Sequence, residues 1–140
     1  MSRLTYKTDI EIYAYDVDYM GIVHNIVYLR WMEKARSDFL NPVYSYETAL
    51  ETGVSPVIIN SNLHYLIPLR LGVKASLEMN IIEIGKAKWS VEFEISSEEG
   101  THFKAEQYGM FFDTNRQKPT RVPKQIRDYY EKVISDESSP

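Results

Sequence analysis

Tyr15-Asp16-Val17-Asp18-Tyr19-Met20-Gly21-Ile22-Val23-His24-Asn25 sets out two carboxylates, a Gly-punctuated turn and an Asn in immediate succession. A helical pattern follows at once and runs to about Leu40. A carboxylate beside a helix N-terminus places a base or nucleophile near amides that favour developing negative charge. The helix itself is amphipathic. With Tyr28 at zero, Trp31, Met32, Ala35 and Phe39 fall within about 60° of it at ~100° per residue. Arg30, Glu33, Lys34 and Ser37 lie on the opposite side, so the helix has one face to bury.

Upstream, residues 4–15 read as a strand, with Leu4, Tyr6, Ile10, Ile12 and Ala14 on one face at period two. Downstream, Asn41-Pro42 stops the helix, because the residue before Pro avoids the helical region. Residues 43–53 are then a short helix or irregular crossover ending at Gly53. Four β segments are predicted over 57–67, 73–84, 87–97 and 101–113. Alternation is clearest where Trp89, Val91, Phe93 and Ile95 interleave with Ser90, Glu92, Glu94 and Ser96, and Ala75, Leu77, Met79 and Ile81 repeat it. Gly72, Gly85 and Gly100 punctuate the joints, which predicts an antiparallel meander. Residues 115–119 form a polar turn, Pro123 opens a last helix over 123–135, and 136–140 are expected to be a disordered tail. The order predicts an α+β domain over 1–135, an antiparallel sheet of about five long strands curling around one central helix.

The 140 residues, 44% hydrophobic, suffice for one core. A net charge of −4 disfavours a general nucleic-acid surface. The chain has no cysteine, which removes disulfides, zinc-thiolate sites and a Cys nucleophile together. MSRLTYKTDI lacks the apolar core of a signal peptide, and no run approaches the ~18 apolar residues of a membrane span. The expectation is a cytoplasmic protein without membrane insertion.

Tyr15 through Arg36 matches Tyr-Asp-x-Asp-x-x-Gly-Ile-Val-His-Asn-x-x-Tyr-x-x-Trp-x-Glu-x-Ala-Arg, which resembles the signature of hotdog-fold acyl-CoA thioesterases. It is most similar to the 4-hydroxybenzoyl-CoA thioesterase group, which includes the Tol-Pal-associated thioesterases. Tyr65 to Gly72 resembles the family's Tyr-x-x-Pro-x-x-x-Gly joint, and Pro119 to Pro123 resembles its closing segment. The resemblance implies a hotdog domain whose dimers pair sheets edge to edge, often assembling into tetramers, with sites at the dimer interface. It implies that Asp18 is the catalytic carboxylate and that the backbone N–H of Asn25 polarises the substrate carbonyl. The position of Asn25 is commonly His or Tyr in this group, and Asn-Asn in a related branch.

Taken alone, Asp18 also suits a turn before a helix, and Asn25 suits an N-cap. Asp16 is expected to be structural, bonding loop amides, since two close carboxylates would raise one pKa. His24 fits a polar wall of the acyl pocket or a loop-bonded imidazole. His64 reads as half-buried strand packing and His102 as a turn residue; no spacing among the three suggests a metal site. Glu33 and Arg36 can pair along the helix, and Glu33 is the reserve catalytic carboxylate because some hotdog branches use a helix acid. Lys86 and Lys88 flank a strand joint where relatives place cations over CoA phosphates, against the plainer reading of a solvated hairpin tip. Thioester hydrolysis needs a base or nucleophile and oxyanion stabilisation, with no cofactor. The expected activity is hydrolysis of acyl-CoA. Alternatives are hydrolysis of acyl-[acyl carrier protein] and a non-catalytic acyl-binding module.

Overall fold

The computed structural model describes residues 4–138. In chain order it has β1 (Leu4–Ile10), a 3-10 turn (Ala14–Asp16), α1 (Asn25–Leu40), α2 (Tyr46–Thr52), β2 (Val54–Tyr65), β3 (Ala75–Ile84), β4 (Lys88–Ser97), β5 (Gly100–Asp113), β6 (Lys118–Thr120) and α3 (Lys124–Ser138). The strands form one antiparallel sheet in the order β1-β3-β4-β5-β2, with β6 added to β5. Ala75, Leu77, Met79 and Ile81 of β3 and Trp89, Val91, Phe93 and Ile95 of β4 turn one continuous apolar face inward. Val27, Tyr28, Met32 and Ala35 of α1 are buried in the same core. This is the hotdog arrangement the motif implied, a sheet curled around one helix.

Arg36 reaches from α1 to the buried Gln107 of β5, whose Nε2 donates to Ser61 Oγ of β2 at 3.0 Å. That chain of hydrogen bonds ties the helix to the β2–β5 side of the sheet. Ser45 Oγ accepts the Thr48 N–H to start α2, and Gly53 ends it at φ 76°. This conformation costs glycine little.

Four expectations need correction. β1 stops at Ile10 instead of 15, because Ile10 pairs with Ala75, the first residue of β3. The β segments are not a plain meander: β2 lies at the far edge, paired with β5 in a register from Val54↔Asp113 to Tyr65↔Phe103. The reason is that residues 66–74 cross over the start of α1, with Val23 N–H on the Leu69 carbonyl and Leu71 N–H on that of Gly21. Lys118 and Pro119 of the expected polar turn belong, with Thr120, to strand β6, in which Thr120 lies opposite Phe111. Finally, α3 extends to Ser138, so 136–138 are helical where a tail was expected; 139 and 140 lie outside the described residues.

Gly109 sits where β5 passes between β2 and β4, opposite Ile58 and Trp89. A Cβ there would overlap the Val57 carbonyl oxygen and the Trp89 ring. Gly109→Ala should therefore destabilise the fold by about 1–3 kcal/mol, the range for forced overpacking, read as a lower urea midpoint at unchanged m. A midpoint equal to wild type would mean that the strands part there without cost.

Candidate active site

The turn between β1 and α1 is built by its two aspartates in different ways. Asp16 is buried; its Oδ2 accepts the Tyr13 N–H at 2.9 Å, and its carbonyl accepts the His24 N–H at 3.0 Å. It bonds loop amides, as expected. Asp18 is half-buried, and its Oδ1 accepts the N–H groups of Met20 at 2.8 Å and Ile22 at 3.1 Å. Gly21 closes the turn at φ 76°, and its N–H reaches the Asp18 carbonyl at 2.9 Å. The turn-forming reading of Asp18 is thus correct for one oxygen. Oδ2 makes no hydrogen bond among the described residues.

The same contacts fix the ionisation of Asp18. The amide of Ile22, then that of Met20, hold its carboxyl below the usual aspartate range against a smaller opposing effect of burial, and His24 and Arg70 add positive charge. Hydrogen bonds to the charged form favour it. The sign follows: the group is ionised at neutral pH, and its contribution to stability is lost only as pH falls through the lowered pKa.

Four residues beyond Gly21, α1 begins. His24, not Asn25, is the N-cap, and its side chain makes no capping hydrogen bond. Asn25 is the first helical residue, and N–H groups of a first turn have no partner within their helix. Tyr65, at the end of β2, donates its hydroxyl to the Asn25 carbonyl at 3.1 Å. Its ring packs on Tyr28 and Phe103 at centroid distances of 5.1 and 5.2 Å. Arg70 stands opposite Ile22 in an isolated bridge. Asp18, His24 and Asn25 therefore come together, joined by Tyr65 and Arg70. In the sequence those two stand only within the joint from Tyr65 to Gly72.

The other candidates lie elsewhere. Lys86 and Lys88 are exposed at the β3–β4 hairpin, about 30 Å from the Asp18 end at ~3.3 Å per residue of β3. Glu33 is about 12 Å along the helix from Asn25 at ~1.5 Å per residue, with Oε2 2.6 Å from Arg36 Nη2. It borders a cavity of about 370 Å³ between α1 and the sheet, lined by Pro56, Val57, Ile58, Trp89 and Phe111. His64 is more exposed than expected and lies 3.5 Å from Glu106. His102 is no turn residue: it is fully buried in β5, where a register shift sets it between paired residues. Among the described residues no group of acidic, His or Cys side chains could hold a metal, and no helix is long and apolar enough to cross a membrane.

An antiparallel sheet curled around one central helix defines a hotdog fold, here with an ionised carboxylate beside an uncapped helix start. The sequence matches the thioesterase-like superfamily over residues 12–129, and the chain belongs to that family, whose enzymes hydrolyse thioesters. YneP of Bacillus subtilis, a proposed acyl-CoA thioesterase, is 28% identical over 126 residues, covering 89% of this chain and 91% of its own. The chloroplast acyl-acyl carrier protein thioesterase ATL2 of Arabidopsis thaliana is 24% identical over 129 residues, 89% of this chain and 68% of its own. Among solved structures, a Staphylococcus aureus protein in complex with CoA superposes with TM-score 0.88 at 12% identity, covering 100% of this chain and 90% of that one. A 1,4-dihydroxy-2-naphthoyl-CoA thioesterase from Synechocystis gives 0.80 at 17%, covering 97% and 99%. At these identities the structures speak for the fold.

The electrostatics of Asp18 can be measured directly. In an NMR titration of its carboxyl carbon, the wild-type pKa should lie below the usual ~3.9 of aspartate. Arg70→Gln should raise it only part of the way, because the Ile22 amide is the larger cause. An unchanged value in the variant would remove Arg70 from the site's field.

Proposed function

We propose that the chain hydrolyses acyl-CoA to a free acid and CoA, with Asp18 as base or nucleophile and the Asn25 amide polarising the thioester carbonyl. The observation that carries this reading is the ionised Asp18 carboxylate, one oxygen spare, beside a helix start that no side chain caps. As base, Asp18 takes a proton from water as the water oxygen attacks the carbonyl carbon; the C–S bond then breaks and the thiolate is reprotonated. As nucleophile, it forms an acyl anhydride and releases the thiolate, and water then cleaves the anhydride. In both routes the oxyanion forms at the α1 N-terminus. His24, exposed at the N-cap, forms a polar wall of the site.

A second copy completes this site. β2 is a 12-residue edge strand whose Ile58 and Ile59 are exposed, the kind of edge that pairs with another strand. Antiparallel pairing of two β2 strands about a two-fold axis brings the partner's Asp18 end beside this chain's Val54 end. Lys86, Lys88 and the 370 Å³ cavity lie toward that same end, which suits the nucleotide and the acyl group respectively. The active unit is then a homodimer, or a tetramer of two, acting in the cytoplasm. CoA is preferred as carrier because of the CoA-bound and CoA-thioesterase relatives. ATL2 supports acyl carrier protein as the second reading, and kinetics with both thioesters decides between them. A non-catalytic acyl binder would have no use for a spare carboxylate oxygen.

Asp18→Asn should keep the fold and lose about 10²-fold or more in kcat, the scale of general-base removal. Near-normal turnover in the folded variant would transfer the role to Glu33. Lys86→Ala with Lys88→Ala should raise KM for acyl-CoA at nearly constant kcat and leave an acyl-pantetheine unaffected. Equal losses on both substrates, or a protein that sediments as an active monomer, would overturn the shared site.

A further inference from the structure

We infer that His102 is a positioning residue: its buried imidazole, through the Ile67 carbonyl, holds the segment on which the Asp18 turn and the start of α1 are docked. This rests on the reading of Asp18 and Asn25 as the reacting groups. His102 occurs where the β4–β5 register slips, Ile95↔Phe103 being followed by Ser96↔Thr101. The extra residue of a bulge re-aims its side chain, so His102 and Phe103 both point inward and both are fully buried.

Every polar atom of that imidazole is engaged. Nδ1 lies 3.0 Å from the Ile67 carbonyl, which can only accept, so Nδ1 carries the proton. Nε2 is then the acceptor, and the Ser97 hydroxyl donates to it at 2.6 Å, while Ser97 Oγ takes the Glu99 N–H at 3.1 Å. The backbone adds Leu66 N–H to the His102 carbonyl at 2.8 Å. Thus one residue of β5 grips two successive residues beyond the end of β2.

From Ile67 the path to the reacting groups is short and stiff. Pro68 fixes φ, and Leu69, fully buried, follows. The Leu69 carbonyl accepts the Val23 N–H at 2.8 Å, Arg70 bridges Ile22, and Leu71 N–H reaches the Gly21 carbonyl at 3.0 Å. Ile22 in turn donates to Asp18 Oδ1, and Val23 lies two residues before Asn25. A shift of Ile67 is passed to both halves of the site at once, and small misplacements of reacting groups cost rate.

The test compares three variants by amide hydrogen exchange and by kinetics. His102→Leu removes both side-chain bonds. His102→Asn puts an amide NH₂ where Nδ1 was and keeps the bond to Ile67. Ser97→Ala removes only the other side. His102→Leu should speed exchange at Val23 and Leu71 by about 10-fold or more while Met79 of β3 stays protected, and should lower kcat by about 10-fold with KM changed less than about 2-fold. His102→Asn should restore most of both, and Ser97→Ala should lower Tm but leave kcat and the Val23 amide near wild type. If His102→Leu does not fold, His102→Gln takes its place, since its amide reaches toward Ser97 and away from Ile67. Equal behaviour of the Asn and Leu (or Gln) variants, or loss of protection spread evenly over Met79, would overturn the inference. A wild-type chain with no thioesterase activity would sink the proposed reaction instead, while exchange at Val23 and Leu71 would still decide the positioning.

Discussion

The burial of one helix face in one curled sheet is the constraint from which the rest follows. Met32 at the centre of α1 is 0% exposed, as is Met79 of β3 in the same core, and Val27, Tyr28 and Ala35 are nearly so. Each large side chain removed from water in this way contributes about 1.5–3 kcal/mol. Because the apolar stripe runs the length of α1, the helix cannot rotate or slide without exposing it. Its N-terminus is thereby fixed at one end of the sheet, and its orphan amides with it.

That end is finished by polar contacts that repeatedly serve two purposes. Asp18 spends Oδ1 on closing its turn and keeps Oδ2 available. Tyr65 belongs to an aromatic cluster with Tyr28 and Phe103, and the same residue tethers the first turn of α1 through the Asn25 carbonyl. The crossover 66–74 links β2 to β3 and also covers the turn. Substitutions here therefore affect geometry and electrostatics together, and single-variant losses of activity need a structural readout beside them.

What was legible in the sequence was what local periodicity records. The phase of α1 was readable from Tyr28, Met32 and Ala35, and the inward faces of β3 and β4 from strict alternation, because one buried face forces both patterns. The two aspartates were readable from their place before a helix, and the family resemblance implied the catalytic role proposed for Asp18. The place of β2 was not readable, since pairing with β5 is a contact between residues some fifty positions apart and leaves no local trace. His102 was hidden by a bulge, which breaks the parity on which strand reading depends. Arg70 was hidden because its nearness to Asp18 arises from a backbone bridge to Ile22, whose neighbours in sequence carry no sign of it. The register of Pro119 and Thr120 with β5 was lost for the same reason as β2.

The lowered pKa of Asp18 bears on how such a carboxylate works. A carboxyl held ionised chiefly by the Ile22 amide is in the form the proposed reaction needs at neutral pH, yet it is a weaker base than a free aspartate. An acyl group closing over it would exclude water, and desolvation shifts a carboxyl upward, toward stronger basicity and nucleophilicity. The empty site would thus hold a quiet carboxylate, and a bound thioester would activate it. Label found in the Asp18 carboxyl after single-turnover hydrolysis in ¹⁸O-water identifies the nucleophilic route. A nucleophilic Asp18 takes label into its own carboxyl when water attacks the anhydride at the Asp18 carbonyl, and the released acid is then unlabelled in that turnover. A general base never exchanges its oxygens, and every labelled atom leaves in the acid.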